Sequence, residues 1–112
     1  MTNTLQAFFV ALSLVESSGN DKAFNVKEQA LGRYQIRPAY FKDAKVNGPF
    51  YAVTNEAFAR AVVLAYAKRY EPRALATGDL ETLARLHNAG PGWRRKLSLT
   101  NNYWNKIKSK LK

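Results

Sequence analysis

Glu16 follows the most apolar run of the chain, Ala7 to Val15 (AFFVALSLV), and falls in what should be the last turn of a helix. The negative end of the helix dipole lies there, and Leu12 sits one turn back, so both the dipole and partial burial favour the protonated acid. A carboxyl kept neutral near working pH can act as a general acid; the same position also suits an ordinary exposed glutamate at a helix end. A second carboxyl, Glu28, follows twelve residues later in a segment able to form a hairpin. Such a hairpin can fold back across the helix end and turn Glu28 toward Glu16, although a plain surface glutamate fits equally well. Asp21 suits a turn and Asp43 a helix end, and both stand behind Glu28 as alternatives.

Other side chains narrow the chemistry. His87 is the single histidine and there is no cysteine, so a metal cage, a thiol nucleophile and a Ser-His-Asp site all lack partners, and no metal or cofactor is expected. His87 fits a packed helix-end residue bonded to a backbone carbonyl. Gly90-Pro91-Gly92 lacks the spacing and the Lys-Ser/Thr of a phosphate loop and reads as a turn. Trp93, between glycines and cations, is the better candidate for an exposed stacking platform, whereas the spacing of Trp104 suits the core.

The elements that must position these groups are mostly helical. A first helix is expected from about Thr4 to Ser17, capped by Asn3 or Thr4, with Leu5, Phe8, Phe9, Leu12 and Val15 on one face and Ser17-Ser18-Gly19-Asn20 as its stop. The mixed stretch from Asp21 to Arg37 admits short strands or a hairpin. Arg37-Pro38 opens a helical turn that Asn47-Gly48-Pro49 closes. A second clear helix, capped by Thr54 or Asn55, carries Phe58, Ala61, Val62, Ala65 and Tyr66 inward and ends at Pro72. A third begins near Asp79 and sets Leu80, Leu83, Ala84 and His87 on one face. The last, Asn101 to about Leu111, points Tyr103, Trp104, Ile107 and Leu111 inward and Lys106, Lys108 and Lys110 outward.

At 112 residues, 46% of them hydrophobic, the chain has material for one domain with its own core, spanning 1–112. Neither a disordered chain nor a disulfide scaffold fits this composition. No stretch approaches the roughly 20 apolar residues of a membrane span, and Ala7 to Val15 lacks the flanks of a signal peptide, so none is expected. The formal net charge of +10 is lopsided: residues 1–56 hold six cations and five acids, residues 57–112 twelve and three. The last nineteen residues carry Arg94, Arg95, Lys96, Lys106, Lys108, Lys110 and Lys112 and no acid. Such a surface is either a solvated face or a patch for a polyanion, with nucleic acid, anionic lipid and acidic wall polymers all admissible on charge alone.

Three stretches add a resemblance. Glu16-Ser17-Ser18-Gly19, Gly32-Arg33-Tyr34-Gln35-Ile36 and His87-Asn88-Ala89-Gly90-Pro91-Gly92 stand in the order of the E-S-x-x, G-x-x-Q and Y-N-x-G motifs of lysozyme-like muramidases and lytic transglycosylases. Leu83 to Trp104 (LARLHNAGPGWRRKLSLTNNYW) resembles the A-R-x-H-N-G-G-P-x-G…T-x-x-Y-W signature of the invertebrate-type lysozymes and their bacterial and phage relatives. Phe24 to Pro38 (FNVKEQALGRYQIRP) is similar to their Y-N-x-x-E-x-A-x-G-x-x-Q-I-R-P run. His87 stands where the transglycosylase pattern has Tyr, which favours the invertebrate-type likeness.

The resemblance implies an α+β, mostly helical lysozyme-like fold with a small β-hairpin beside the catalytic helix. It implies cleavage of the β-1,4 bond between N-acetylmuramic acid and N-acetylglucosamine in bacterial peptidoglycan, with Glu16 as acid and Glu28 as nucleophile or transition-state stabiliser. It also implies a sugar cleft formed by Gln35 and the adjacent backbone, with Asn88 and Gly90 as its floor; Ser17, Tyr34, His87 and the stacking candidate Trp93 are further candidates for binding substrate. With two acids the reaction is hydrolysis; with Glu16 alone the muramyl 6-hydroxyl attacks and a 1,6-anhydro product results. The basic C-terminal region would then hold anionic wall polymer or a membrane surface, in the periplasm or outside the cell, as in a phage endolysin made in the host cytoplasm. A small basic nucleic-acid or glycan-binding module is the rival reading, but it leaves Glu16, Gln35 and the His87 to Gly92 run without a role, so no nucleic acid is expected.

Overall fold

The computed structural model describes residues 2–111, which form six α-helices and one two-stranded hairpin. Helix α1 (Asn3–Ser17) buries Phe8, Phe9, Ala11, Leu12 and Ser13. Its cap is Thr2, whose hydroxyl accepts from the Leu5 N–H at 3.1 Å, one position earlier than Asn3 or Thr4. The stop is as expected: Ser18 takes the left-handed conformation, and the Ser18 and Gly19 N–H groups return to the Leu14 and Ser13 carbonyls. Glu16 is thereby fixed in the final turn.

Strands β1 (Phe24–Asn25) and β2 (Ala30–Leu31) pair antiparallel, Phe24 opposite Leu31 and Asn25 opposite Ala30. Two ties dock this hairpin onto the end of α1. The Ser17 hydroxyl donates to the Arg33 carbonyl at 2.7 Å, and the Arg33 guanidinium grips Asp21 at 2.8 Å. Gly32 is the tightest point. It has φ +85°, and a Cβ there would stand 2.5 Å from the Val53 carbonyl oxygen, so only glycine lets the hairpin pack on the short 3₁₀ turn Phe50–Thr54.

Helices α2 (Pro38–Ala44), α3 (Glu56–Tyr70), α4 (Pro72–Thr77), α5 (Leu80–Ala89) and α6 (Leu97–Lys110) complete the chain. Pro72 ends α3 as expected but also opens α4, because proline suits the first helical position as well as it stops a preceding helix. The core face of α3 is Ala59, Val62, Val63, Tyr66 and Ala67; Ala61 is exposed, a correction to the expected stripe. Asn55 is the cap there, and Asp79 caps α5. Helix α6 starts at Leu97, four residues before the expected Asn101, and buries Ile107, with Tyr103, Trp104 and Leu111 half-buried against the core.

Helices α5 and α6 are bolted by Arg85, which is 5% exposed. Its guanidinium donates to Glu81, the Leu97 carbonyl, Thr100 and Asn101 at 2.7–3.0 Å, so a charge that burial would make costly has its donors satisfied. The core itself runs from α1 through α3 to α5, with Tyr40 and Tyr66 stacked at 3.7 Å between ring centroids. Burial of each large apolar side chain in it contributes about 1.5–3 kcal/mol.

Candidate active site

One open cleft of about 300 Å³ lies where the end of α1, the hairpin, α5 and α6 meet, and Glu16, Glu28, Gln35, Arg37, Asn88, Tyr103 and Lys106 are among the residues lining it. An apolar gap of about 10 Å³ elsewhere in the core has room for about one water at most.

Glu16 is a half-buried acid lining this cleft. Removal from water raises its carboxyl from 4.5 to about 7; the hydrogen bond from Tyr103 and the charge of Arg37 pull it down, and the charge of Glu28 pushes it up. The Tyr103 hydroxyl donates to Glu16 Oε2 at 2.6 Å. Glu16 lines the cleft with Oε2 engaged by Tyr103, and among the described residues no buried side-chain polar atom lacks a partner.

His87 supports this arrangement from behind. Its Nε2 lies 2.9 Å from the Tyr34 carbonyl, an acceptor only, so Nε2 carries the hydrogen and Nδ1 accepts from the Tyr40 hydroxyl, also at 2.9 Å. Burial pushes the ring down from 6.5 to about 4. Its 3.6 Å approach to Glu16 Oε2 is therefore contact with a neutral ring rather than an ion pair at neutral pH. A charged imidazolium there would draw the proton off Glu16; the apolar packing that keeps His87 neutral preserves the acid.

Glu28 sits in the hairpin turn, exposed, with its carboxyl 3.9 Å from the Arg37 guanidinium. The Asn25 side chain accepts from the Glu28 N–H at 3.1 Å and so shapes that turn. Gln35, at φ 52°, donates through Nε2 to the Ala23 and Gly32 carbonyls and stiffens the cleft wall. Arg37 also donates to the Asn88 carbonyl at 3.5 Å, joining the hairpin side to α5. Asp21 is held by Arg33, and neither Asp21 nor Asp43 lines the cleft.

Four expected site residues are placed elsewhere. Ser17 spends its hydroxyl on Arg33 and the helix end. The Tyr34 phenol points away, donating to Glu56 on α3 at 2.6 Å, and contributes only its carbonyl behind His87. Gly90 ends α5 at φ 82° and does not line the cleft. Trp93 is a correction: it is 7% exposed, its indole N–H donates to Glu71 at 3.1 Å and Arg94 covers the ring at 4.3 Å, so no stacking face is offered. Conversely Arg37 and Tyr103, to which no site role was given, both touch the acid machinery. Both lie inside the Q-I-R-P and T-x-x-Y-W matches, and that was their only signal.

No family model matches the chain. Lysozyme 1 of Crassostrea virginica is 32% identical to it over 88 residues, 77% of this chain and 47% of that protein. The lysozyme of Magallana gigas is 35% identical over 86 residues, 75% of this chain and 62% of that protein. The lysozyme of Ostrea edulis is 35% identical over 81 residues, 70% and 58% respectively. The chain spans about half to three fifths of the length of these relatives.

Proposed function

We propose that this chain, similar in sequence to the lysozymes of Crassostrea virginica, Magallana gigas and Ostrea edulis, is a lysozyme-like peptidoglycan muramidase of the invertebrate type with Glu16 as its general acid. The observation that carries the reading is a carboxyl raised to about 7, with one oxygen held by Tyr103, lining a cleft that also contains Glu28. A glycosidic oxygen leaves poorly until it is protonated, and an acid that is still half protonated at neutral pH meets that need.

In the proposed reaction the Glu16 carboxyl proton passes to the bridging oxygen as the bond from that oxygen to the muramic acid anomeric carbon breaks. Glu28 faces the developing positive charge, either bonding to the carbon or holding a water against it. If Glu28 has bonded to the carbon, water then displaces it and gives its proton to Glu16; if Glu28 holds the water, Glu28 takes that proton, passes it to solvent, and Glu16 is reprotonated from solvent, and either way the cycle closes with a reducing end. Arg37 keeps Glu28 in place from 3.9 Å. The sites of action implied are the bacterial wall and its anionic polymers, which the basic half of the chain would hold by charge. Of the basic tail, Lys112 lies outside the described residues, and Arg94 is committed to Glu71 at 2.7 Å.

Mass spectrometry of the soluble fragments released from purified peptidoglycan tests this directly. The expected products are muropeptides with reducing ends, absent with Glu16→Gln. Fragments lighter by one water would make the protein a lytic transglycosylase, and release by Glu16→Gln at the wild-type rate would remove Glu16 from the chemistry.

A further inference from the structure

Four charged side chains line the cleft: Glu16, Glu28, Arg37 and Lys106. Three of them already have partners. Glu28 and Arg37 face each other at 3.9 Å, Arg37 also reaches the Asn88 carbonyl, and Glu16 accepts from Tyr103. Lys106 forms no ion pair with any carboxylate among the described residues. It stands on α6 three residues after Tyr103, hence on the same side of that helix as the residue that holds the acid, and Lys110 continues the row one turn further on. Lys108, by contrast, lies over the Trp104 ring at 5.8 Å. The cleft thus contains an exposed ammonium with no ion-pair partner among the described residues, lining the same cleft as Glu16.

From this we infer that Lys106 binds the anionic arm of the muramic acid residue, so that the cleft prefers glycan bearing free carboxylates over neutral glycan. The inference rests on the muramidase reading and names what that site selects. N-acetylmuramic acid differs from N-acetylglucosamine by a lactyl ether whose carboxyl is either free or extended by a peptide that itself carries carboxylates. That arm brings the anion the cleft lacks, whereas a neutral sugar brings none. A lysine suits such a ligand because its flexible stem and compact charge follow a mobile carboxylate without demanding one geometry. The pair it forms is solvent-exposed, so the preference is modest, about three- to fivefold, and salt weakens it.

The test measures binding of a soluble muropeptide tetrasaccharide with free carboxyl groups and of the same compound with those groups converted to carboxamides. Both are titrated at low ionic strength into Glu16→Gln protein carrying Lys106, Lys106→Met or Lys106→Arg, with far-UV circular dichroism confirming that each variant is folded. The free-acid form should bind about three- to fivefold more tightly to the Lys106 and Lys106→Arg proteins, and the ratio should fall to near one in Lys106→Met. A ratio that survives Lys106→Met, or is near one from the start, overturns the assignment while leaving muramidase activity standing. A parent protein that releases no fragments from any wall overturns the muramidase reading and this inference with it.

Discussion

At the scale of single residues the acid is made by three neighbours acting in different directions. Burial raises Glu16, Tyr103 and Arg37 lower it, and Glu28 raises it, for a net value of about 7. Tyr103→Phe removes a lowering contribution, so the alkaline limb of the pH profile of kcat/KM should move to higher pH. The rate at the optimum should fall about tenfold, because the phenol no longer holds the carboxyl in one orientation. An unmoved limb would show that the phenol does not bond the acid in the working enzyme. Glu28→Gln should lower activity by about a hundredfold or more if Glu28 is the second carboxylate, and should shift the alkaline limb the other way, to lower pH. A loss below about tenfold returns it to the surface. The place of Glu16 in the last turn of an apolar helix was legible in the sequence because helix position and apolar context are local properties. Trp93 was not: its burial depends on Glu71, 22 residues away in the chain, and no local pattern announces such a bond.

The elements that hold these residues were legible where a cap, a stripe and a stop agree. For α5, Asp79 starts the helix, Leu83, Ala84 and His87 mark the face, and Gly90 ends it, so sequence and structure coincide. In α6 the first turn carries exposed Leu97, Ser98 and Leu99 and no side-chain cap, so periodicity begins only at Thr100 and the start reads late. The displacement of Ala61 by Ala59 and Val63 on α3 has a similar cause, since a run of small apolar residues offers several equally good stripes. The hairpin is the weakest element by pattern and is fixed instead by docking, through Ser17, Arg33 and above all Gly32. Gly32→Ala should therefore cost at least about 2 kcal/mol, from a left-handed backbone and a clash with the Val53 carbonyl. In thermal unfolding that is a drop of roughly 10 °C, with activity falling alongside as Gln35 and Glu28 shift. A change of about 2 °C or less would mean that the hairpin and the Phe50–Thr54 turn can separate at little cost.

For the whole molecule, buried His87 and half-buried Glu16 set opposite edges of a stability window. His87 is lowered from 6.5 to about 4 in the fold, so the unfolded chain takes up a proton first as pH falls. Its contribution is complete above 6.5 and is lost progressively down to about 4. Glu16 is raised from 4.5 to about 7, so its contribution is complete below 4.5 and is lost as pH rises through about 7, where the fold must ionise a half-buried carboxyl that the unfolded chain ionises freely. The net charge of +10 adds self-repulsion that grows as the remaining acids are protonated. The thermal midpoint should therefore be highest near about pH 5–6 and decline on both sides. Glu16→Gln isolates the alkaline edge: it should match the parent near pH 4 and exceed it at pH 8 by up to about 3 kcal/mol, the free-energy equivalent of the shift from 4.5 to about 7. Parallel pH profiles for the two proteins would mean that Glu16 is ionised at no cost in the fold, and the acid on which the proposed chemistry depends would be lost with it. A gain confined to the alkaline side would tie the energetic strain of the fold to the same carboxyl that delivers the proton, as expected where a site is stabilised less than its surroundings so that it can react.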